Sequence, residues 1–211
     1  MPNTTQRHAT WSKVTAISEA LRHYPFVVFL DADTMFPYPH VPLEWLFNYW
    51  EISAQTLVAL AEDPNDPINQ DDRGKTLLNT GFIIAQQSPR AQELFEAWDS
   101  CADDIRYPGC SVWKYRWPHE QGAFGSHVRY EFSRPRDVRV LPCAEANGCP
   151  GARPANCSGK LVRHYWYAKA HLPAAVRDSL MRYLVLHMHG LFLRESGRVV
   201  LALNGSQEVG E

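Results

Sequence analysis

The chain has 211 residues, 45% of them hydrophobic and 12% aromatic, with a formal net charge of -2. That length supports one substantial globular domain rather than two large ones, and scattered basic residues on a near-neutral chain give no footing for a nucleic-acid partner. No uninterrupted apolar stretch approaches the roughly 18 residues of a membrane span, and no basic segment followed by an apolar run opens the chain, so as written it reads as a soluble domain.

Trp11, Val14, Ile17, Ala20 and Leu21 recur at helical spacing, and Pro25 closes that segment. Phe26-Val27-Val28-Phe29-Leu30 is short, apolar, β-branched and aromatic, and reads as a buried strand of a parallel sheet. Pro37, Pro39 and Pro42 then forbid a regular element. Residues 43–60 look helical, with a strand as the alternative for 56–61, and residues 62–75 form a long polar loop. Residues 77–85 read as a second buried strand, interrupted by Asn79-Thr80-Gly81, where Asn and Gly both weaken a strand and mark a bulge.

Ser88-Pro89 is an N-cap followed by a proline at the first helical position, and Ala91, Leu94, Phe95, Trp98 and Cys101 mark one apolar face of the helix it opens. An irregular aromatic stretch at 107–118 leads to a short helix at His119-Glu120-Gln121. A strand at 138–141, a Gly/Pro/Cys-rich loop at 144–159 and a helix over about 173–193 complete a single domain at 1–200, with a polar tail at 201–211. Alternating strands and helices argue α/β with a mixed sheet.

All five cysteines lie between Cys101 and Cys157 and none forms a C-x-x-C pair, which speaks against structural zinc. Sequons at Asn3, Asn156 and Asn204 together with the clustered cysteines favour a secretory lumen. Disulfides Cys101–Cys110 and Cys143–Cys157 would suit it, leaving Cys149 free; five reduced thiols are the alternative.

The chemistry centres on Asp31-Ala32-Asp33, which directly follows the first strand. The carboxyl ends of strands are where open α/β sheets place ligands, and two carboxylates there can hold a hard divalent cation. The plainer alternative is that they cap nearby backbone amides. A phosphatase of the haloacid-dehalogenase type would use Asp31 as nucleophile, but its pattern puts Thr where Met35 stands.

Taken in order, Trp11-Ser12-Lys13, Phe29-Leu30-Asp31-Ala32-Asp33, Leu78-Asn79-Thr80-Gly81-Phe82, His119-Glu120-Gln121 and the run from Arg163 to Lys169 resemble metal-dependent glycosyltransferases of the GT-A fold. The nearest group is the nucleotide-diphospho-sugar transferases of fungi, with glycogenin a more distant likeness. The resemblance implies a mostly parallel mixed sheet flanked by helices. It also implies transfer of a hexose from a nucleotide-diphosphate sugar to a glycan or glycoprotein hydroxyl, in the Golgi or another secretory lumen.

By the same resemblance Asp31, Asp33 and His164 hold Mn2+ or Mg2+, and the imidazole favours Mn2+. Lys13, Asp31, Asn79 and Lys169 contact the donor, and Glu120 and Gln121 sit against its sugar. Plainer readings stand beside these: His164 as a packed histidine, Glu120 as an exposed acid in a first helical turn or as the base of an inverting enzyme, and Asn79 in a purely structural bulge. Trp45, Phe47, Tyr49 and Trp50 read as core; Trp113, Tyr115 and Trp117 as core or an acceptor groove; the acidic loop at 63–72 as solvated or closing over the donor.

The family's fold places a strand–helix–strand unit for base and ribose well upstream of the aspartates, and only 25 residues precede the strand at 26–30. The expectation is thus a catalytic core lacking its N-terminal nucleotide-binding portion, with any membrane anchor lying upstream. An inactive sugar- or partner-binding remnant is the competing expectation.

Overall fold

The computed structural model describes residues 7–152 and 156–205; the sequon at Asn3 and residues 206–211 of the expected tail lie outside the described residues. In chain order the elements are α1 (Ser12–Ala20), β1 (Phe26–Leu30), β2 (Thr34–Met35), α2 (Leu43–Tyr49), β3 (Val58–Glu62), β4 (Leu78–Gln86), α3 (Pro89–Ser100), α4 (Glu120–Ala123), α5 (Arg129–Glu131), β5 (Val138–Leu141), α6 (Cys143–Ala146), β6 (Arg163–His164) and α7 (Leu172–Gly205).

The main sheet has the order β1-β4-β3-β5, and β2 pairs with β6 in a two-stranded ladder. β1 and β3 each run antiparallel to β4, while β3 and β5 are parallel. Three of the four strands therefore point the same way, with β4 threaded in reverse between β1 and β3: an α/β fold with a mixed, mostly parallel sheet. β1 itself departs from expectation. It is an edge strand antiparallel to β4, with Phe26 exposed and its other residues half-buried, because a five-residue apolar run carries no signal of pairing direction.

The sheet buries both faces, which is why its central strands read as continuous apolar runs. Val58 and Leu60 of β3 join Leu78, Ile83 and Ala85 of β4 under α1 and α3, around Trp11, Phe95, Trp98 and Phe124. Ala59 and Ala61 turn to the other face with Phe82, Ile84, Leu46, Trp50 and Val162. Each fully buried large side chain in these layers is worth about 1.5–3 kcal/mol relative to exposure. The buried indoles keep their N–H groups satisfied: Trp98 donates to the Glu120 carbonyl at 2.8 Å and Trp11 to that of Trp113 at 3.2 Å.

α3 starts as the sequence expects, with the Ser88 hydroxyl accepting from the Ala91 amide at 3.0 Å and Pro89 at its first position, a cap worth about 1 kcal/mol. α2 is shorter than the helical reading of 43–60. Glu51 adopts φ 51°, the helix stops, and the apolar run behind it becomes β3. Leu46 and Trp50 are core, but Trp45 and Tyr49 are exposed and stack on each other at 5.0 Å. α7 extends past 193 to Gly205, into the expected tail.

Both disulfides form, with Cα–Cα separations of 5.4 Å for Cys101–Cys110 and 4.9 Å for Cys143–Cys157, and Cys149 is free and buried. The first fastens the end of α3 to the 3-10 turn Cys110–Lys114. The second closes the loop that supports β6, where the Gly148 carbonyl accepts from the His164 amide at 2.7 Å.

Candidate active site

Backbone geometry at the end of β1 brings the acidic pair to a histidine far along the chain. The Asp31 amide donates to the Gly81 carbonyl at 2.8 Å and the Thr34 amide to the Asp31 carbonyl at 2.9 Å, forming a tight turn that projects both carboxylates. β2 then pairs with β6 so that Thr34 lies opposite His164, and the Tyr165 amide donates to the Asp33 carbonyl at 2.9 Å. One ligand atom each from Asp31, Asp33 and His164 lie within 4.8 Å of one another.

Asn79 settles the tautomer of His164. Its Nδ2 donates to Asp63 Oδ1 at 2.9 Å, which fixes the amide's orientation. Its Oδ1 accepts from the Gly81 amide at 2.8 Å and faces His164 Nδ1 at 3.1 Å, so Nδ1 carries the hydrogen. Nε2 then faces Asp33 Oδ1, 3.1 Å away, where it can donate a hydrogen to the carboxylate or turn a lone pair to a cation. At that distance a proton or a cation lies between the two atoms. The donor set of two carboxylates and one oriented imidazole fits a divalent metal, and the Asn79–His164 contact is the outer partner such a ligand needs.

The interrupted strand is the device that permits this. Pairing jumps from Leu60 opposite Ile83 to Ala61 opposite Asn79, so Thr80, Gly81 and Phe82 are thrown out of the β3 ladder. Gly81 lies directly under the imidazole: a Cβ there would sit 2.1 Å from His164 Cε1. Thr80 turns its carbonyl to Lys13 Nζ at 3.2 Å and its hydroxyl to Glu120 Oε1 at 2.9 Å. The bulge expected from Asn79-Thr80-Gly81 is thus real, and it carries the site.

Charges around the metal-type set are closely matched. Lys13, 6% exposed, places Nζ 2.8 Å from Asp31 Oδ1 and 3.3 Å from Glu120 Oε1. Lys169, reaching in from the surface, lies 3.0 Å from Asp33 Oδ2. The His164 imidazole, with Lys169, holds the Asp33 carboxyl far below the ordinary carboxylate range despite its burial. Glu120 is only 3% exposed, which overturns its reading as a solvent-facing first-turn acid, and its Oε2 is buried without a partner. Just before it, His119 holds φ 59°, the turn that aims α4 into the site.

These residues line one cleft of about 410 Å³, which Trp117, Asn69 and Trp166 also border. Of the aromatic trio, Trp117 alone reaches the cleft; Trp113 is half-buried against the core and Tyr115 is exposed. The 62–75 segment contributes Asp63, Pro64 and Asn69 to the wall. Every site residue expected from the sequence is in this cleft.

Asp63 was missing from that expectation. Its Oδ1 accepts from Asn79 at 2.9 Å and from Asn147 at 3.4 Å, and its Oδ2 accepts from Gln121. Burial pushes its carboxyl up, against those amide donors. It follows β3 directly, one acid past the end of the apolar run, much as Asp31 follows β1. That shared signal was readable, but the polar loop behind it masked it.

A family model for nucleotide-diphospho-sugar transferases matches residues 3–179 of this chain. The chain belongs to that family. As a nucleotide-diphospho-sugar transferase it is a glycosyltransferase, which sets aside the phosphatase reading of Asp31. Its fold is similar to the crystal structure of a glycosyltransferase involved in the glycosylation of the major capsid of PBCV-1, with a TM-score of 0.55, 18% identity, and coverage of 86% of this chain and 80% of that one. At that identity the likeness speaks for the GT-A-like fold alone. No curated protein matches this nucleotide-diphospho-sugar transferase.

Proposed function

We propose that this transferase moves a hexose from a nucleotide-diphosphate sugar to a glycan or glycoprotein hydroxyl, with Mn2+ or Mg2+ held by Asp33, His164 and Asp31. What carries the reading is the pair of facing ligand atoms, Asp33 Oδ1 and His164 Nε2, that the Asn79 contact orients beside a second carboxylate. A bound divalent cation supplies Lewis-acid stabilisation of the charge that grows on a leaving nucleoside diphosphate. The nitrogen donor favours Mn2+ over Mg2+.

The remaining residues divide the work of binding and orientation. Lys169 is 68% exposed on a flexible stem, so its ammonium can swing from Asp33 to a phosphate oxygen as a point charge. Lys13 pairs with Asp31 and Glu120 together, one ammonium between two carboxylates. Glu120 Oε2, buried and without a partner, is the acceptor atom left for a hydroxyl of the donor sugar. Gln121, anchored by Asp63 and by the Thr80 amide, is a fixed amide at the same wall. Two disulfides support an oxidising compartment such as the secretory lumen.

The test is Mn2+-dependent release of nucleotide from a panel of sugar donors by the purified chain. Asp33→Ala and His164→Ala should each lose activity by more than ~100-fold, in keeping with removal of a main electrostatic stabiliser. Equal activity in the wild type and both variants would refute the site.

A further inference from the structure

A second cleft of about 490 Å³ lies behind the active site, between β6 and α7. The segment from Arg163 to Lys169 is the wall between the two. His164, Trp166 and Lys169 line the active-site cleft, whereas Arg163, Tyr165 and Tyr167 line the second. Arg182 of α7 faces the same space, with His171 and Asp178, and Asp178 is already paired with Arg177 at 3.0 Å. Arg163 Nε is buried with no hydrogen-bond partner. Among the described residues neither the Arg163 nor the Arg182 guanidinium has an acidic partner. Two uncompensated guanidiniums converging on one cavity ask for an anion.

Beyond Tyr38 and Ser179, which belong to both spaces, the cleft continues as an apolar trough of about 430 Å³ floored by Phe36, Val41, Leu43, Val176 and Leu180. The trough thus has a cationic end and a hydrocarbon-lined end. α7 leaves it carrying an exposed apolar stretch: Leu184, Val185, Leu186, Met188, Leu191, Phe192 and Leu193 are each at least 42% exposed. Successive residues turn about 100° around a helix, so these seven side chains occupy an arc of about 220° of its circumference. One partner helix, such as α7 of a second copy, would cover only part of so broad an arc and leave the rest in water; a lipid phase wets all of it. No described helix is long and apolar enough to cross a membrane, so the stretch lies along a surface rather than spanning it.

We propose that this face docks on an anionic phospholipid bilayer, with a lipid phosphate between Arg163 and Arg182, hydrocarbon in the trough, and the 184–193 stretch of α7 among the lipids. The membrane face then stands one residue from His164, on the opposite side of the same wall. Nothing in the inference depends on the metal site.

Flotation of the full chain with vesicles of phosphatidylcholine alone, or with about 20% phosphatidylserine, tests it. Binding should appear on the anionic vesicles. Arg163→Gln and Arg182→Gln should each weaken it by about fivefold, the weight of one basic residue at such a surface, and Phe192→Asp should abolish it. Arg182 and Phe192 are exposed, so those variants keep the fold, checked by far-UV circular dichroism. Asp33→Ala should float as the wild type does, which separates failure here from failure of the transferase reading. Three results would overturn the proposal: no flotation on anionic vesicles, flotation insensitive to both arginine variants, or a wild-type dimer that Phe192→Asp converts to monomer without any vesicle binding. Binding of soluble glycerol phosphate in the absence of flotation would likewise assign the cleft to a free phosphate ester instead of a lipid.

Discussion

The side-chain carbonyl of Asn79 stands 3.1 Å from Nδ1 of His164 and thereby decides which ring nitrogen faces Asp33. Without that contact the imidazole is free to rotate or change tautomer. Asn79→Ala is therefore expected to lower Mn2+ affinity by about 10- to 100-fold, the usual loss when a ligand's outer partner is removed, while leaving the ligands themselves in place. Titration calorimetry with Mn2+ checks this; wild-type affinity in the variant would show that the contact orients nothing.

Gly81→Ala attacks the same ring from below. The added methyl would lie 2.1 Å from His164 Cε1, so the imidazole must leave its position or the bulge must shift. We expect Mn2+ binding to be lost, with a stability cost of about 1–3 kcal/mol for the overpacking. Manganese EPR and a thermal melt read the two effects separately, and an unperturbed EPR titration would contradict the packing described.

Glu120→Gln keeps the shape of the side chain but removes its charge. The buried Oε2 loses its acceptor character toward the donor sugar, and Lys13 loses one of two counter-ions. We expect the transfer rate to fall by about 100-fold with Mn2+ affinity unchanged. A parallel loss of metal affinity would move Glu120 from the sugar to the metal shell.

Lys13→Met leaves Asp31 and the buried Glu120 facing each other without the ammonium between them. Stripping a buried carboxylate of its counter-ion costs about 3 kcal/mol or more. Denaturant unfolding should show that loss at neutral pH, and Lys13→Met combined with Glu120→Gln should recover part of it. Two fully additive losses would mean the pair is not coupled.

A pH dependence follows from the tie between α3 and β5. Arg90 makes two hydrogen bonds to Asp137, at 3.1 Å and 2.6 Å. Burial alone would raise the Asp137 carboxyl, but the guanidinium and the Arg134 amide outweigh it and hold the pKa below its ordinary value. A carboxyl lowered in the folded state contributes stability that is present above its unfolded value, about 4, and lost as pH falls through the folded value. Arg90→Gln should therefore lower stability at pH 7 by about 2 kcal/mol and by less at acid pH. Melts from pH 7 downward that stay parallel in the two proteins would refute this assignment.

Much of the site could be read from the chain because it sits where strands stop. Asp31 and Asp33 follow an apolar run, and Asn79-Thr80-Gly81 breaks another at a point where the residue types oppose a regular strand. The direction of β1 was not legible, since pairing with β4 depends on residues between Phe82 and Gln86 that a local apolar pattern does not record. The end of α2 at Tyr49 was obscured because helix and two-sided strand adjoin in one apolar stretch, with only Glu51 marking the break. Asp63 escaped notice because a carboxylate followed by four more polar or proline positions looks like loop surface. Its burial comes from Gln121, Asn79 and Asn147, which converge on it from three other segments.

The out-of-register stretch in β4 also governs orientation. Leu78 and Ile83 are five positions apart, so in an uninterrupted strand they would point to opposite sides; here both enter the layer beneath α1 and α3. A deletion of one residue between them would leave them four positions apart, on one side by simple alternation, and would erase the bulge that turns the Thr80 carbonyl and Gly81 toward Lys13 and His164. The extra residue in this segment is thus held by what the bulge presents to the cleft, since the hydrophobic sorting on either side would survive without it.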